Sequence, residues 1–552
     1  MLVVAFAESP RQATGIEYRS VRLIDANPTG GDYINGLINT GDRFLFEAFD
    51  GALHKIYSTD GRSVTELMVE GNGSLNPEPM AIEFYGRPST EYFVANGPEG
   101  RSLYKTDGAA AEVLASGVTG TWDYDLYVPS WAWKTDDYLY FHRKTTDAEG
   151  LYRTDGSAIA RAGITNGTEV DYEFLSNFQG DALLVGSGPD GDFLVRENVA
   201  ASTKITLPSG LAIDPWSAVQ IGERLGFTGS FGAGQRLFLT DGESVEMIDF
   251  NLGTRGVGSP VAVGEDLFFK GQSNDGPRYE KIFHFDGETI KPLELGNGGD
   301  HSRFRIIATL GNEVMVVGGL KVQLTDGLAY RTIAENVQTN VGGGAWLFAQ
   351  TATETILTMD TSAGRGLYRV VGDEAVPIDF GSTSGGGLAN SRTQVLGDAV
   401  YFSAVGRNGD ELFRLVGGEV TEFDINPLGN SNPENLQVVG DSLFFTATGP
   451  KGREAYLLQG DNLSLIDINL FGDSDPWFMG EVDGAILVKA LTGRDLSSSA
   501  RELIAIYRVP EPASTANLLV VAGTCMACYS RCGYRHRNCS ERRAARSCQR
   551  NI

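Results

Sequence analysis

A chain of 552 residues with a net charge of −26 and a pI near 4.6 is long enough for several hundred residues of packed core, and too acidic to favour nucleic acid or an anionic membrane surface. Glycine at 70 positions, about one residue in eight, with few helix-forming runs, marks a β protein punctuated by turns. The acidity belongs to the body: beyond Ser514 seven Arg face a single Glu, leaving the rest near −32 and suited to divalent cations or cationic polymers as partners.

In chain order, Leu2-Val3-Val4-Ala5-Phe6-Ala7 has the form of the end of an export signal, with Ala5-x-Ala7 as a small-residue cleavage site before Glu8. No basic segment precedes it, which predicts a start upstream of Met1; residues 1–15 are assigned to the signal remnant. A lone strand follows at 21–25. From there a phrase of roughly 43 residues recurs about eleven times as far as Val509. Residues 37–48, 393–404 and 436–447 each read strand, Gly-Asp turn, strand. A Gly-rich turn follows, such as Gly406-Arg407-Asn408-Gly409 or Gly449-Pro450-Lys451-Gly452, and then a third strand such as Leu412-Phe413-Arg414-Leu415. The next turn is written Thr-Asp-Gly at 59–61, 106–108, 154–156, 240–242 and 325–327, because a tight hairpin needs a residue that tolerates positive φ. A fourth strand, as at 420–424 or 463–467, closes the unit.

Four short strands per repeat, with apolar alternation and no helical period, predict one twisted sheet per repeat, and sheets of this size must stack to bury both faces. A radial stack of four-stranded sheets is a β-propeller, and the expected fold class is all-β, with propeller repeats over 16–509. The last repeat stops without a fourth strand, so the strand at 21–25 is expected to supply it and close the ring without an open edge. Rings of about four to eight blades are usual, so eleven repeats predict two rings, with one large ring as the alternative. The repeat is degenerate at 163–210, where Arg196-Glu197-Asn198 replaces Thr-Asp-Gly, and at 345–364. Each is a place for a seam or for a drifted blade.

Three sets of residues are candidates for binding. Asp214 and Trp216 recur at the equivalent Asp475 and Trp477, and Trp131 and Trp133 crowd a third inter-blade connection; Trp and Asp there suit stacking and hydrogen bonding to sugar rings, against a competing role in blade packing. Asp-x-Asn recurs as Asp25/Asn27, Asp249/Asn251, Asp424/Asn426 and Asp467/Asn469 where the fourth strand leaves a blade. Oxygen-rich turns of that kind suit Ca2+, and equally form Asx turns with no metal; no other cofactor is expected. Nucleophile elbows, zinc-protease helices and phosphate loops are absent from the sequence, and His54, His142, His284 and His301 fall in different repeats. A carboxylate pair acting on glycans is the one catalytic alternative, because such a pair is defined by distance in space.

The third strand and its turn carry a resemblance. Ser102-Leu103-Tyr104-Lys105-Thr106-Asp107-Gly108, Gly150-Leu151-Tyr152-Arg153-Thr154-Asp155-Gly156 and Arg236-Leu237-Phe238-Leu239-Thr240-Asp241-Gly242 are similar to the Glu-Leu-Trp-x-x-Asp-Gly-Thr repeats of bacterial proteins, with Tyr or Phe for Trp. At the other end, Pro510-Glu511-Pro512, an apolar run from Ala516 to about Tyr529 and an Arg-rich end resemble the PEP-CTERM sorting signal of bacterial surface proteins, which assigns 510–552 to a sorting tail. The resemblance implies export, a transmembrane segment giving transient anchoring, and an exosortase-type processing partner. All five cysteines lie in this tail, so the body holds no disulfide. The expected function is a non-catalytic, exported protein of the cell surface or extracellular matrix that binds polysaccharide, with an extracellular glycan hydrolase or lyase as the alternative.

Overall fold

The computed structural model describes residues 18–24, 35–39, 42–49, 54–69, 73–74, 84–87, 90–97, 100–118, 132–144, 149–164, 170–188, 191–213, 218–231, 234–248, 258–272, 280–295, 304–338, 344–381, 388, 393–469, 472–491 and 502–508. Val21–Tyr507 form one compact unit; in the other, Met1–Ser20 with Arg508–Ile552, the described residues are only the outer ends of two strands. The described strands form eleven sheets, one per repeat. Blades 1 to 10 span 35–66, 84–116, 132–161, 171–205, 212–248, 258–292, 305–335, 345–378, 393–423 and 434–466, each an antiparallel meander in sequence order. Blade 11 is built from Trp477–Val482, Ala485–Ala490 and Glu502–Arg508, with Tyr18–Ile24 as its fourth strand. Blade 2 carries two extra short strands, Met68–Val69 and Gly73–Ser74, on its outer edge.

The recurring Leu-aromatic pair of the third strand explains why the sheets stack. Adjacent strand residues point to opposite faces. The aromatic meets a registered aromatic of the second strand, as in Phe402 with Phe413, Phe445 with Tyr456 and Phe93 with Tyr104, at centroid distances of 5.5, 5.6 and 5.2 Å. This pair packs on the preceding blade, Phe93 and Tyr104 against Leu45 and Ile56 of blade 1, while Leu103 packs on Phe141 of blade 3. One apolar face therefore looks back and the other looks forward, and every blade needs two neighbours.

That rule settles the ring. Clusters of buried side chains join each blade to the next from blade 1 through blade 10. Blade 10 meets blade 11 through Phe444 and Phe478, and through the Thr446 hydroxyl, which donates to the Pro476 carbonyl at 2.7 Å. Phe46 and Tyr57, the backward-looking face of blade 1, pack on Leu487, Leu503 and Ala505 of blade 11. The expectation of two rings is thereby corrected: eleven blades close a single ring, because among the described residues no interface skips a neighbour except the one that joins blade 11 to blade 1. Blade 4 and blade 8, the degenerate repeats, are drifted blades and not seams. In blade 4 the turn lies one residue later than its sequence suggests, with Glu197-Asn198-Val199 in place of Thr-Asp-Gly, and Asn198 does the work of the missing turn Asp by accepting from the Ala200 and Ala201 amides. Glu197, in the Thr position, is buried; it accepts from the Gly163 amide and lies 3.4 Å from Arg153 of blade 3.

The Thr-Asp-Gly turns are hairpin chemistry. Their glycines sit at φ of 81° to 92°, a region costly for any residue with a Cβ. The Thr106, Thr154, Thr240 and Thr325 hydroxyl oxygens accept from the glycine amide, and the Asp carboxylate accepts two further amides. Around Asp155 the Ser157 amide and hydroxyl and the Ala158 amide hold the carboxyl down at about 2. In blades 2, 3 and 9 a basic residue follows the aromatic and reaches the corresponding turn of the next blade: Lys105 donates to the Gly156 carbonyl, Arg153 to the Asn198 carbonyl and Arg414 to the Gly460 carbonyl.

Among the described residues no helix is long and apolar enough to cross a membrane, so the transmembrane assignment is withdrawn for them. The run at 516–529, like Pro510, Glu511 and Pro512, lies outside the described residues.

Candidate binding face of the ring

First strands of neighbouring blades run side by side from blade 6 round to blade 1, so they form the inner wall of the ring. The linkers that enter them share one end of the blades with the turns between second and third strands. Linkers and turns are held together by a unit that recurs in blades 9 and 10. In blade 9 the fully buried Glu411, first in its third strand after Asp410, accepts from the Ile425 amide at 3.0 Å, while the Ser431 and Asn432 amides donate to the Asp410 carbonyl. Blade 10 repeats it: Glu454 accepts from the Ile468 amide, the Ser474 amide at 3.1 Å and the Ser474 hydroxyl. The Asn side chains tie the loops shut, Asn426 donating to the Asn430 carbonyl and Asn469 to the Asp473 carbonyl, each at 3.0 Å.

Sequence reasoning singled out the Asp-x-Asn residues and passed over the two glutamates. A signal existed, since Glu411 and Glu454 stand directly before Leu412-Phe413 and Ala455-Tyr456 in the third strands of blades 9 and 10, whose fourth strands run into Asp424/Asn426 and Asp467/Asn469, and Glu502 stands directly before Leu503 in the third strand of blade 11. Asp467 pairs with Lys451, whereas Asp424 is exposed. Asp25, Asn27, Asp249 and Asn251 lie outside the described residues. Among the described residues no three His, Cys, Asp or Glu side chains come together as a metal site.

Burial pushes the Glu411 carboxyl up and the Glu454 carboxyl up to about 7, against the hydrogen bonds that favour the carboxylate. A raised folded-state value means that this group stabilises the fold fully below the ordinary glutamate range and loses that contribution as pH rises through 7. Between about pH 5 and about pH 8.5 the wild type is therefore expected to lose stability relative to Glu454→Gln, by up to roughly 3 kcal/mol. Thermal melts of the pair at both pH values check this, and a constant gap would refute it.

Of the aromatic candidates, Asp475 and Trp477 are the described pair. Asp475 lies in the left-handed region at φ 39°, and its carboxylate accepts from Arg453 Nε at 3.1 Å; Arg453 also pairs with Glu434. Trp477, at the start of the innermost strand of blade 11, is 45% exposed, with Lys489 Nζ 5.8 Å from its ring centre. Trp133 lies between blades, stacked on Phe174 of blade 4 at 5.5 Å. Asp214, Trp216 and Trp131 fall outside the described residues, so of the two Asp-Pro-Trp sites only Asp475 and Trp477, two residues apart, are described. The histidines stay apart: His142 packs edge-on to Trp133 in blade 3, and His284 is buried on Phe268 in blade 6 with Nε2 3.3 Å from Asp266. His301 lies outside the described residues.

A closed ring of four-stranded sheets with its linkers and exposed aromatic at one end defines the class: a single-ring, eleven-bladed β-propeller. No family model matches the chain, and no curated protein matches it. Among solved structures it is similar to the Niastella koreensis GH74 enzyme, at 13% identity and a TM-score of 0.22, covering 90% of this chain and 91% of that one. It is also similar to the β-propeller domain of the trilobed protease of Pyrococcus furiosus, at 12% identity and a TM-score of 0.26, covering 54% and 98%. The tricorn protease matches at 14% identity and a TM-score of 0.22, covering 83% and 47%. Likeness at this level adds nothing to the fold established above.

Proposed function

We propose that the chain is an exported β-propeller of the cell surface or extracellular matrix that binds polysaccharide without turning it over. The observation that supports binding is Trp477, a large aromatic left open on the innermost strand of the closing blade, two residues after Asp475, whose carboxylate is held by Arg453. A flat apolar ring next to a fixed acceptor suits the CH face and hydroxyls of a sugar. The carboxyls that burial drives toward the protonated form, Glu411 and Glu454, are enclosed by linker amides and so sit badly for general acid chemistry on a polymer. Export and sorting are proposed from Ala5-x-Ala7 and Pro510-Glu511-Pro512 alone, with the degenerate Glu-Leu-Trp-x-x-Asp-Gly-Thr repeats as the scaffold and an exosortase-type enzyme as the processing partner.

A glycan array with a product assay on every hit tests the binding reading. One glycan class is expected to bind without release of new ends, and Trp477→Ala to weaken it at least about tenfold, the worth of one stacking contact. New ends would make the protein a hydrolase or lyase, and a blank array would overturn polysaccharide binding. C-terminal peptide mapping of protein from the host surface and medium tests sorting: loss of everything after about Pro512 is expected, and an intact tail on intracellular protein would overturn it.

A further inference from the structure

Where blade 8 hands over to blade 9, the repeat departs from its own pattern. The residue two past the fourth-strand Asp-containing exit is Asn in the later linkers, Asn426 and Asn469, each closing its loop through a carbonyl. After Asp379 the same place holds Gly381, at φ 76°, and Phe380 stands between them. In the facing turn of blade 9, Arg407 occupies the position that is Pro450 in blade 10. At these two departures lies a cleft of about 210 Å³, between the linker, the turn and the fourth strand of blade 9.

Its walls are unlike in character. Phe380, set edge-on against Phe402 and Phe413, makes the apolar side with Val420. Opposite stand two carboxylates fixed by backbone amides: Asp379 accepts from the Gly381 amide at 2.8 Å and Glu422 from the Asn408 amide at 3.2 Å, each bond using one oxygen. Arg407 lies over Gly381, exposed, and among the described residues it forms no ion pair or hydrogen bond. Gly406 shapes the far side, because a Cβ there would come within 2.4 Å of the Phe413 ring and 2.8 Å of Glu422 Oε1.

We propose that this cleft binds one pyranose ring of a neutral glycan. Its volume is below the roughly 300 Å³ at which drug-sized pockets begin, which suits a single sugar ring. An apolar floor accepts the CH face, the free carboxylate oxygens of Asp379 and Glu422 accept from hydroxyls, and the Arg407 guanidinium donates to hydroxyl or ring oxygens. Two carboxylates to one guanidinium turn away an anionic sugar, and the guanidinium turns away a metal cation. The site deepens the polysaccharide reading and rests on it, while lying apart from Trp477.

The test uses the full chain and the methyl pyranosides of glucose, galactose and mannose, by ligand-observed NMR at sugar concentrations in the tens of millimolar. At least one is expected to bind. Arg407→Ala and Glu422→Gln, the latter keeping the acceptor for Asn408, are each expected to weaken it at least about tenfold with the melting temperature unchanged. Gly381→Asn, which restores the repeat pattern with a residue tolerant of positive φ, is expected to abolish it. Binding that survives all three substitutions would overturn the cleft and leave polysaccharide binding elsewhere intact. Absence of binding by all three sugars would also overturn the cleft, whereas only a blank glycan array removes the wider reading.

Discussion

A chain starting at Asn35, and so lacking Tyr18–Ile24, is expected to lose the cooperative thermal transition of the ring and to aggregate. Tyr18–Ile24 is the outer strand of blade 11 and pairs with Glu502–Arg508. Without it that third strand becomes an open edge, and in the shortened chain blade 11 is left with three strands and no chain connection to blade 1. Blade 1 and blade 11 hold each other through Phe44, Phe46, Tyr57, Leu487 and Leu503, so a loosened blade 11 exposes the backward face of blade 1 as well. In a closed ring each blade's stability includes both of its interfaces, and loss of one propagates. Calorimetry and light scattering of the two chains decide it, and an unchanged melting temperature in the shortened chain would show that the strand contributes nothing to closure.

Phe445→Ala is expected to cost about 3–5 kcal/mol, the range for emptying a large aromatic site in a packed core. Phe445 is fully buried, stacks on Tyr456 at 5.6 Å and fills the interface of blades 9 and 10 with Leu412, Leu436 and Leu458. No loop can collapse into the space, because both walls are four-stranded sheets held by their own ladders. Leu428→Ala, at a side chain 89% exposed on the linker from blade 9 to blade 10, is the control and should change stability by less than about 0.5 kcal/mol. Denaturant melts of both variants check the pair; equal, small losses would mean that the aromatic stacks are dispensable to the interfaces.

Much of the local structure is readable along the chain. Thr-Asp-Gly at 106–108 or 325–327 specifies a hairpin because the glycine supplies positive φ and the Asp and Thr side chains satisfy the turn's amides, all within five residues. The Leu-aromatic pair at Leu412-Phe413 likewise declares two apolar faces by alternation alone. The missing fourth strand of the last repeat and the lone strand near Val21 pointed to each other across the whole chain, and they pair as one blade.

The candidate site was less legible. Asp475 and Trp477 were visible as a repeated Asp-Pro-Trp, but Glu454 and Arg453, which hold that linker in place through Ser474 and Asp475, lie on the third strand of blade 10. Asp379, Arg407 and Glu422 belong to a linker, a turn and a strand, and nothing in their spacing announces a shared cleft.

The sequence by itself determined the four-stranded repeat, its turns and the strand that closes it, because hairpins and alternation are decided by neighbours within a few residues. Only the tertiary structure decided that eleven blades make one ring, and which side chains meet at its linker face. The angle between successive blades depends on how side chains from two sheets fill the space between them, and that is a property of pairs of surfaces which no single repeat contains.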